Sequence, residues 1–181
     1  MAANETKELP KSPTLVIGVD FGGVCSVHSE RYETNDEASE ELINVPGCVE
    51  ALTTMRQAGH KLILVSFCGA KRAKATRDYL KDKDLFDELI FVKDRKYKAD
   101  ACKRFGIDVL IDDRQDILST IAPTQSILFT YENDLAGKKT QAPKYMRIAK
   151  NWEDVLMILP SIKRLNIQPN ITIDLMPLGY W

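Results

Sequence analysis

Five short apolar runs punctuate the chain, at residues 14–20, 61–66, 88–92, 108–112 and 126–130. Each is bounded by turn formers or charged residues, the pattern of a strand buried on both faces. Between them, apolar residues recur with the period of a helix. Pro46 and Gly47 open one such segment, with Val49, Leu52 and Met55 in step and Gly59 where a helix ends. Ala73, Thr76 and Leu80 share one side of a helix over 70–80. Ala99, Cys102 and Phe105 mark another, which Gly106 ends. A last helix is expected over 152–159, a short one over 37–43, and an edge strand over 171–175. Strands that are apolar throughout need cover on both faces, and the intervening helices supply it. Right-handed crossovers then give an α/β fold, a three-layer, doubly wound, Rossmann-like parallel sheet. Residues 1–13 read as a flexible arm, 14–159 as one core domain and 160–181 as a C-terminal tail.

The length of 181 residues suits a single domain. Lys and Arg number 25 against 26 Asp and Glu, a net charge of −1. That balance gives no global attraction to nucleic acid or to an anionic membrane, so neither is an expected partner. No apolar run reaches the roughly 20 residues that span a bilayer. Residues 1–11 are polar and carry both charge signs, unlike a signal peptide, so a cytoplasmic location is expected. The four cysteines, Cys25, Cys48, Cys68 and Cys102, are then expected as free thiols, since their wide spacing does not match a zinc site.

In doubly wound sheets, ligands bind beyond the carboxyl ends of the strands. Here those ends carry Asp20, Ser66, the lysine-rich stretch 93–98, and Asp112 with Asp113. Carboxylates gathered in one place repel unless a cation neutralises them, and hard oxygen donors suit Mg²⁺. A lysine and a hydroxyl beside them suit a phosphate held against the metal.

These segments resemble four motifs of the haloacid dehalogenase-like (HAD) superfamily. Residues 16–24, Val-Ile-Gly-Val-Asp-Phe-Gly-Gly-Val, are similar to motif I. Residues 62–66, ending in Ser66, resemble motif II. Lys98 resembles the motif III lysine, and residues 109–114, with Asp112, Asp113 and Arg114, resemble motif IV. Order, spacing and strand context agree over about residues 15–130. The resemblance implies a HAD-like fold and a role for each position. Asp20 would be the nucleophile that forms an aspartyl-phosphate and a Mg²⁺ ligand. Ser66 and Lys98 would hold the transferring phosphoryl group, with Gly22 and Gly23 lining the phosphate site. Asp112, Asp113 and the Gly22 carbonyl would complete the metal site. Lys71 and Arg72 are candidates to grip a second substrate phosphate.

One position departs from the pattern. Family phosphatases carry a second Asp two residues after the nucleophile, which protonates the leaving group, and here that residue is Gly22. Such acid–base catalysis is worth about 10²–10⁴-fold. His28, Glu30, Tyr32 and Asp36, in the polar segment that follows, are the local candidates to replace it. The spacings between motifs leave room for only a small cap or none, hence an open site. The expected function is a Mg²⁺-dependent phosphohydrolase for phosphomonoesters, nucleotides among them, weakened by the missing acid. The alternative is a HAD-fold binding or regulatory protein that keeps metal and phosphate binding. The expected partner is a phosphorylated small molecule, and a homodimer or a second protein is a candidate to complete the open site.

Each residue also has a plainer reading. Asp20 alone would be a turn or helix cap, and only its convergence with Asp112 and Asp113 favours a metal. Lys71 and Arg72 are otherwise a solvated first turn. Lys93 and Lys96 compete with Lys98, and spacing to Asp112 favours Lys98. Asp116 favours a helix N-terminus. Cys25 and Cys68 read as small packing residues near the rim, since a cysteine nucleophile needs a lowered pKa.

Overall fold

The computed structural model describes residues 13–27, 42–138, 142–168 and Tyr180. It contains six parallel strands: β1 (Val16–Val19), β2 (Lys61–Phe67), β3 (Glu88–Val92), β4 (Val109–Asp112), β5 (Gln125–Phe129) and β6 (Arg147–Ala149). Their order across the sheet is β3-β2-β1-β4-β5-β6. In register, Ile17 sits between Leu62 of β2 and Val109 of β4. The chain therefore winds outward from β1 in one direction, returns, and winds outward in the other.

The two-residue period of the strands divides the core into two layers. Ile17, Val19, Leu62, Leu64, Val109, Ile111, Ile127 and Phe129 face one layer. Helices α1 (Cys48–Gln57), α2 (Ala70–Leu80) and α6 (Trp152–Ile158) cover that side. Ile63, Val65, Leu110 and Leu128 face the other, under α3 (Tyr97–Arg104) and the short α4 (Gln115–Leu118). The remaining helix, α5 (Tyr131–Leu135), follows β5. Gly18 faces this second layer, and a Cβ there would stand 2.9 Å from Leu110 Cδ1 and 3.1 Å from Ile107 Cδ1. The absence of a side chain lets β1 pack tightly against the α3–β4 connection.

The five expected strands form, and α2 spans the expected 70–80. The sheet also has a sixth strand, β6, in a stretch for which no element was expected. In α1 the inward face is Cys48, Ala51, Leu52 and Met55, while Val49 is 43% exposed. The expected inward set was thus one residue out of phase at its start. In α3 it is Ala101, with Lys98 and Cys102, that is buried; Ala99 and Phe105 are only partly buried at its edge. The short helix expected at 37–43 falls mostly outside the described residues, and the edge strand at 171–175 wholly so.

Three ties fix parts of the chain that carry no regular structure. The Trp152 indole Nε1–H donates to the Val24 carbonyl at 3.2 Å, which anchors the turn after β1 to α6. Asp108 accepts from Val16 N–H at 2.8 Å and from Leu165 N–H at 2.7 Å. The start of the tail therefore lies at the amino ends of the strands, away from their carboxyl ends. Tyr180 pairs with Val92 as an antiparallel bridge on the outer edge of β3 and donates to Asp100 at 2.9 Å. No helix among the described residues is long and apolar enough to cross a membrane.

Candidate functional site

The winding direction reverses between β1 and β4, and both strands run out into carboxylates there. Asp20 follows β1 directly, its N–H donating to the Ile111 carbonyl at 2.9 Å. Asp112 ends β4, and Asp113 follows it. One carboxylate oxygen from each of Asp20, Asp112 and Asp113 lies within 4.8 Å of the other two. Helix α3 delivers Lys98 from its first turn into this cluster. The ammonium stands 2.7 Å from Asp20 Oδ2 and 2.6 Å from Asp112 Oδ2. Lys98 is 1% exposed, Asp112 0% and Asp20 7%. The other carboxylate oxygens accept backbone amides, Asp20 Oδ1 from Phe21 at 2.7 Å and Asp112 Oδ1 from Arg114 at 2.8 Å.

One ammonium shared by two buried carboxylates leaves an excess of negative charge. Burial first, and then the neighbouring Asp20, push the Asp112 carboxyl up to about 7, more than Lys98 pulls it down. Burial works against the Lys98 ammonium as well, yet Asp20 and Asp112 together override it and hold its pKa above the ordinary lysine value. Asp20, Asp112 and Asp113 bring three carboxylates to the one Lys98 ammonium. Hard oxygen donors in that arrangement fit a divalent cation such as Mg²⁺.

A cavity of about 100 Å³ opens above Asp20. Its floor includes Ser66, buried at the end of β2, with Lys98, Gly22 and Asp113. Arg72, from the first turn of α2, lines it as well, whereas Lys71 beside it, equally exposed, does not. Gly23 is buried within the turn, at φ 79°, and its N–H donates to the Ser26 carbonyl at 2.7 Å. Of the competing lysines, Lys93 is exposed and Lys96 stands 3.6 Å from Asp94. Asp116 pairs with Arg114 at 2.8 Å on the surface. The Cys25 thiol lies 3.4 Å from the Asp20 carbonyl, and burial holds its pKa well above the usual range. Burial pushes the Cys68 thiol up to about 11. Neither thiol is poised as a nucleophile. His28, Glu30, Tyr32 and Asp36 lie outside the described residues. Only α2 and β3 separate β2 from α3, so no cap is inserted there.

Sequence reasoning missed Phe67, Thr76 and Arg95, which also line the cavity. Arg95 had a usable signal. It lies three residues before Lys98, whose N–H donates to the Arg95 carbonyl at 3.0 Å, so the two share one turn.

The chain matches no protein-family model and no curated protein. Solved structures do resemble it. A D,D-heptose 1,7-bisphosphate phosphatase from Burkholderia thailandensis aligns with TM-score 0.58 at 16% identity, over 82% of this chain and 99% of its own. The enzyme of that name from B. bronchiseptica, complexed with magnesium and phosphate, gives TM-score 0.60 at 20% identity over the same shares. A HAD-superfamily hydrolase from Ehrlichia chaffeensis gives 0.53 at 12%, over 83% and 98%. The chain has a HAD-like fold. The alignments cover nearly the whole of each of these proteins and more than four-fifths of this chain, which carries the fold assignment. At these identities the likeness establishes the fold and leaves the chemistry to be argued from this chain's own residues.

Proposed function

We propose that this protein is a Mg²⁺-dependent phosphohydrolase that cleaves phosphomonoesters through an aspartyl-phosphate on Asp20. The observation that carries the reading is Lys98, buried and ion-paired to both Asp20 and Asp112 beneath a cavity that Ser66 lines. The HAD-like phosphatases that share the fold, one of them holding magnesium and phosphate, support it at the level of reaction class.

Asp20, Asp112 and Asp113 would hold the metal, and the Gly22 backbone lies in the same cavity wall. Bound there, Mg²⁺ would neutralise charge on the phosphoryl oxygens. The chain's own groups do the rest. The Phe21 N–H on Oδ1 and the Lys98 ammonium on Oδ2 hold the Asp20 carboxylate in a fixed orientation. A carboxylate oxygen of Asp20 bonds to phosphorus as the ester P–O bond breaks, and the leaving oxygen departs with the electron pair. Lys98 and the Ser66 hydroxyl offset charge on the phosphoryl oxygens. Water then attacks phosphorus, releases inorganic phosphate and restores Asp20.

Gly22 supplies no proton to the leaving group. Aryl phosphates, whose leaving oxygen needs none, should outpace alkyl phosphates by more than their chemistry dictates, by up to about 10²–10⁴-fold. The test is Mg²⁺-dependent release of phosphate from an aryl and an alkyl ester, with Asp20→Asn alongside. Equal rates for the two esters would contradict the missing acid. Gly22 also favours a second reading, a binding protein that keeps the metal and phosphate sites without turnover. Mg²⁺ binding with no phosphate release above the Asp20→Asn level would establish that reading instead.

A further inference from the structure

The cavity above Asp20, at about 100 Å³, is far below the about 300–1,000 Å³ of sites that enclose a whole drug-sized ligand. It admits a phosphoryl group and leaves the rest of the ester at its mouth. Burial sorts the lining by depth. Ser66, Lys98 and Asp20 are buried at the floor, while Phe67, Arg72 and Arg95 are exposed. Phe67 is a large apolar side chain left 37% exposed at the very end of β2. The Arg95 guanidinium lies over its ring, 4.4 Å from the centroid. That contact uses the guanidinium's charge and none of its five N–H donors. It holds the cation at the mouth in a defined place, with little side-chain freedom left to lose when an anion arrives. Arg72 lines the same cavity from α2. Arg114 also lines it, but turns to Asp116 at 2.8 Å.

We propose that Arg95, seated on Phe67, and Arg72 form a second anion site at the mouth. The preferred substrate is then a phosphomonoester whose leaving group carries another anionic group, a phosphate or a carboxylate. This rests on the phosphohydrolase reading and adds the substrate class. The guanidinium fork suits both anions, since each presents paired oxygens to it.

The test compares phenyl phosphate with 3-carboxyphenyl phosphate and benzene-1,3-diyl bisphosphate. Charge-assisted hydrogen bonds of this kind should lower KM about tenfold or more for the doubly anionic esters. Arg95→Gln should collapse that ratio towards one, and Arg95→Lys should keep part of it. Phe67→Leu should narrow the ratio by removing the platform. A preference for the bisphosphate alone, or for the carboxylate alone, supports the site and names its anion. Equal KM values in the wild type, or a ratio untouched by Arg95→Gln, would overturn it. The same three compounds titrated onto Asp20→Asn with Mg²⁺ read the site without turnover. A protein that hydrolyses nothing yet binds the doubly charged esters more tightly contradicts the hydrolase and keeps the anion site. One that hydrolyses all three alike does the reverse.

Discussion

Lys98 is the residue on which the site's electrostatics turn. It places one buried ammonium between Asp20 and Asp112. Removing one partner of a buried charge cluster strands the others, which costs about 3–5 kcal/mol. Lys98→Met should therefore lower stability by about that much in urea denaturation with the metal chelated, and added Mg²⁺ should recover part of it. A variant as stable as the wild type would contradict the ion triad. The Asp112 carboxyl, pushed up to about 7 by burial and by Asp20, makes a pH prediction. Its unfolded pKa is about 3.9, so between these values the folded state binds the extra proton. Stability from this group is then present at low pH and is lost as pH rises from about 4 to about 7. Asp112→Asn should flatten that slope in denaturation midpoints measured in EDTA, and an unchanged slope would contradict the shift. Gly22 is the third residue to test. The turn's positive φ belongs to Gly23, not Gly22, so Gly22→Asp introduces a carboxyl without left-handed strain. It should raise turnover of alkyl phosphates more than of aryl phosphates, by up to about 10²-fold.

The elements were legible in proportion to their length and burial. Strands β1 to β5 show as apolar runs because both faces are covered, and α2 shows because Ala73, Thr76 and Leu80 keep one face inward. Strand β6 has three residues, begins with Arg147 and leaves Ile148 42% exposed, so no apolar run announces it. Its place comes from pairing with β5, which a sequence does not display locally. Helices α4 and α5, of four and five residues, are too short to show a period. Val49 shows the limit within a helix. An apolar residue in step with Leu52 and Met55 is exposed because Cys48 and Ala51 take the inward positions. Strand β1 also makes a packing prediction. A methyl at Gly18 would meet Leu110 and Ile107, and such overpacking costs about 1–3 kcal/mol. Gly18→Ala should lower the melting temperature and disturb Asp20, two residues along. Unaltered stability would show that Leu110 and Ile107 yield freely.

At the scale of the whole molecule, the site is a consequence of topology. The chain reverses its winding between β1 and β4, so the carboxyl ends of those strands meet at a crevice, and Asp20, Asp112 and Asp113 are delivered there. That is why these residues, with Ser66 and Lys98, could be read from strand ends and one helix start. Phe67 and Thr76 were missed because an apolar strand end and a threonine inside a helix announce no site chemistry, whereas Arg95 stood one turn before Lys98 and could have been read from it. The mutual repulsion of the carboxylates makes a linkage prediction. Mg²⁺ that binds only the folded cluster should raise the melting temperature in a concentration-dependent way, and Asp113→Asn should weaken the shift. No shift with Mg²⁺ would contradict the metal site. The central claim is covalent, and mass spectrometry tests it directly. Wild-type protein mixed with Mg²⁺ and an aryl phosphate, then quenched in acid, should carry one phosphoryl group on the peptide containing Asp20, and Asp20→Asn should carry none. Phosphate release without that adduct, or an adduct on another residue, would contradict the account.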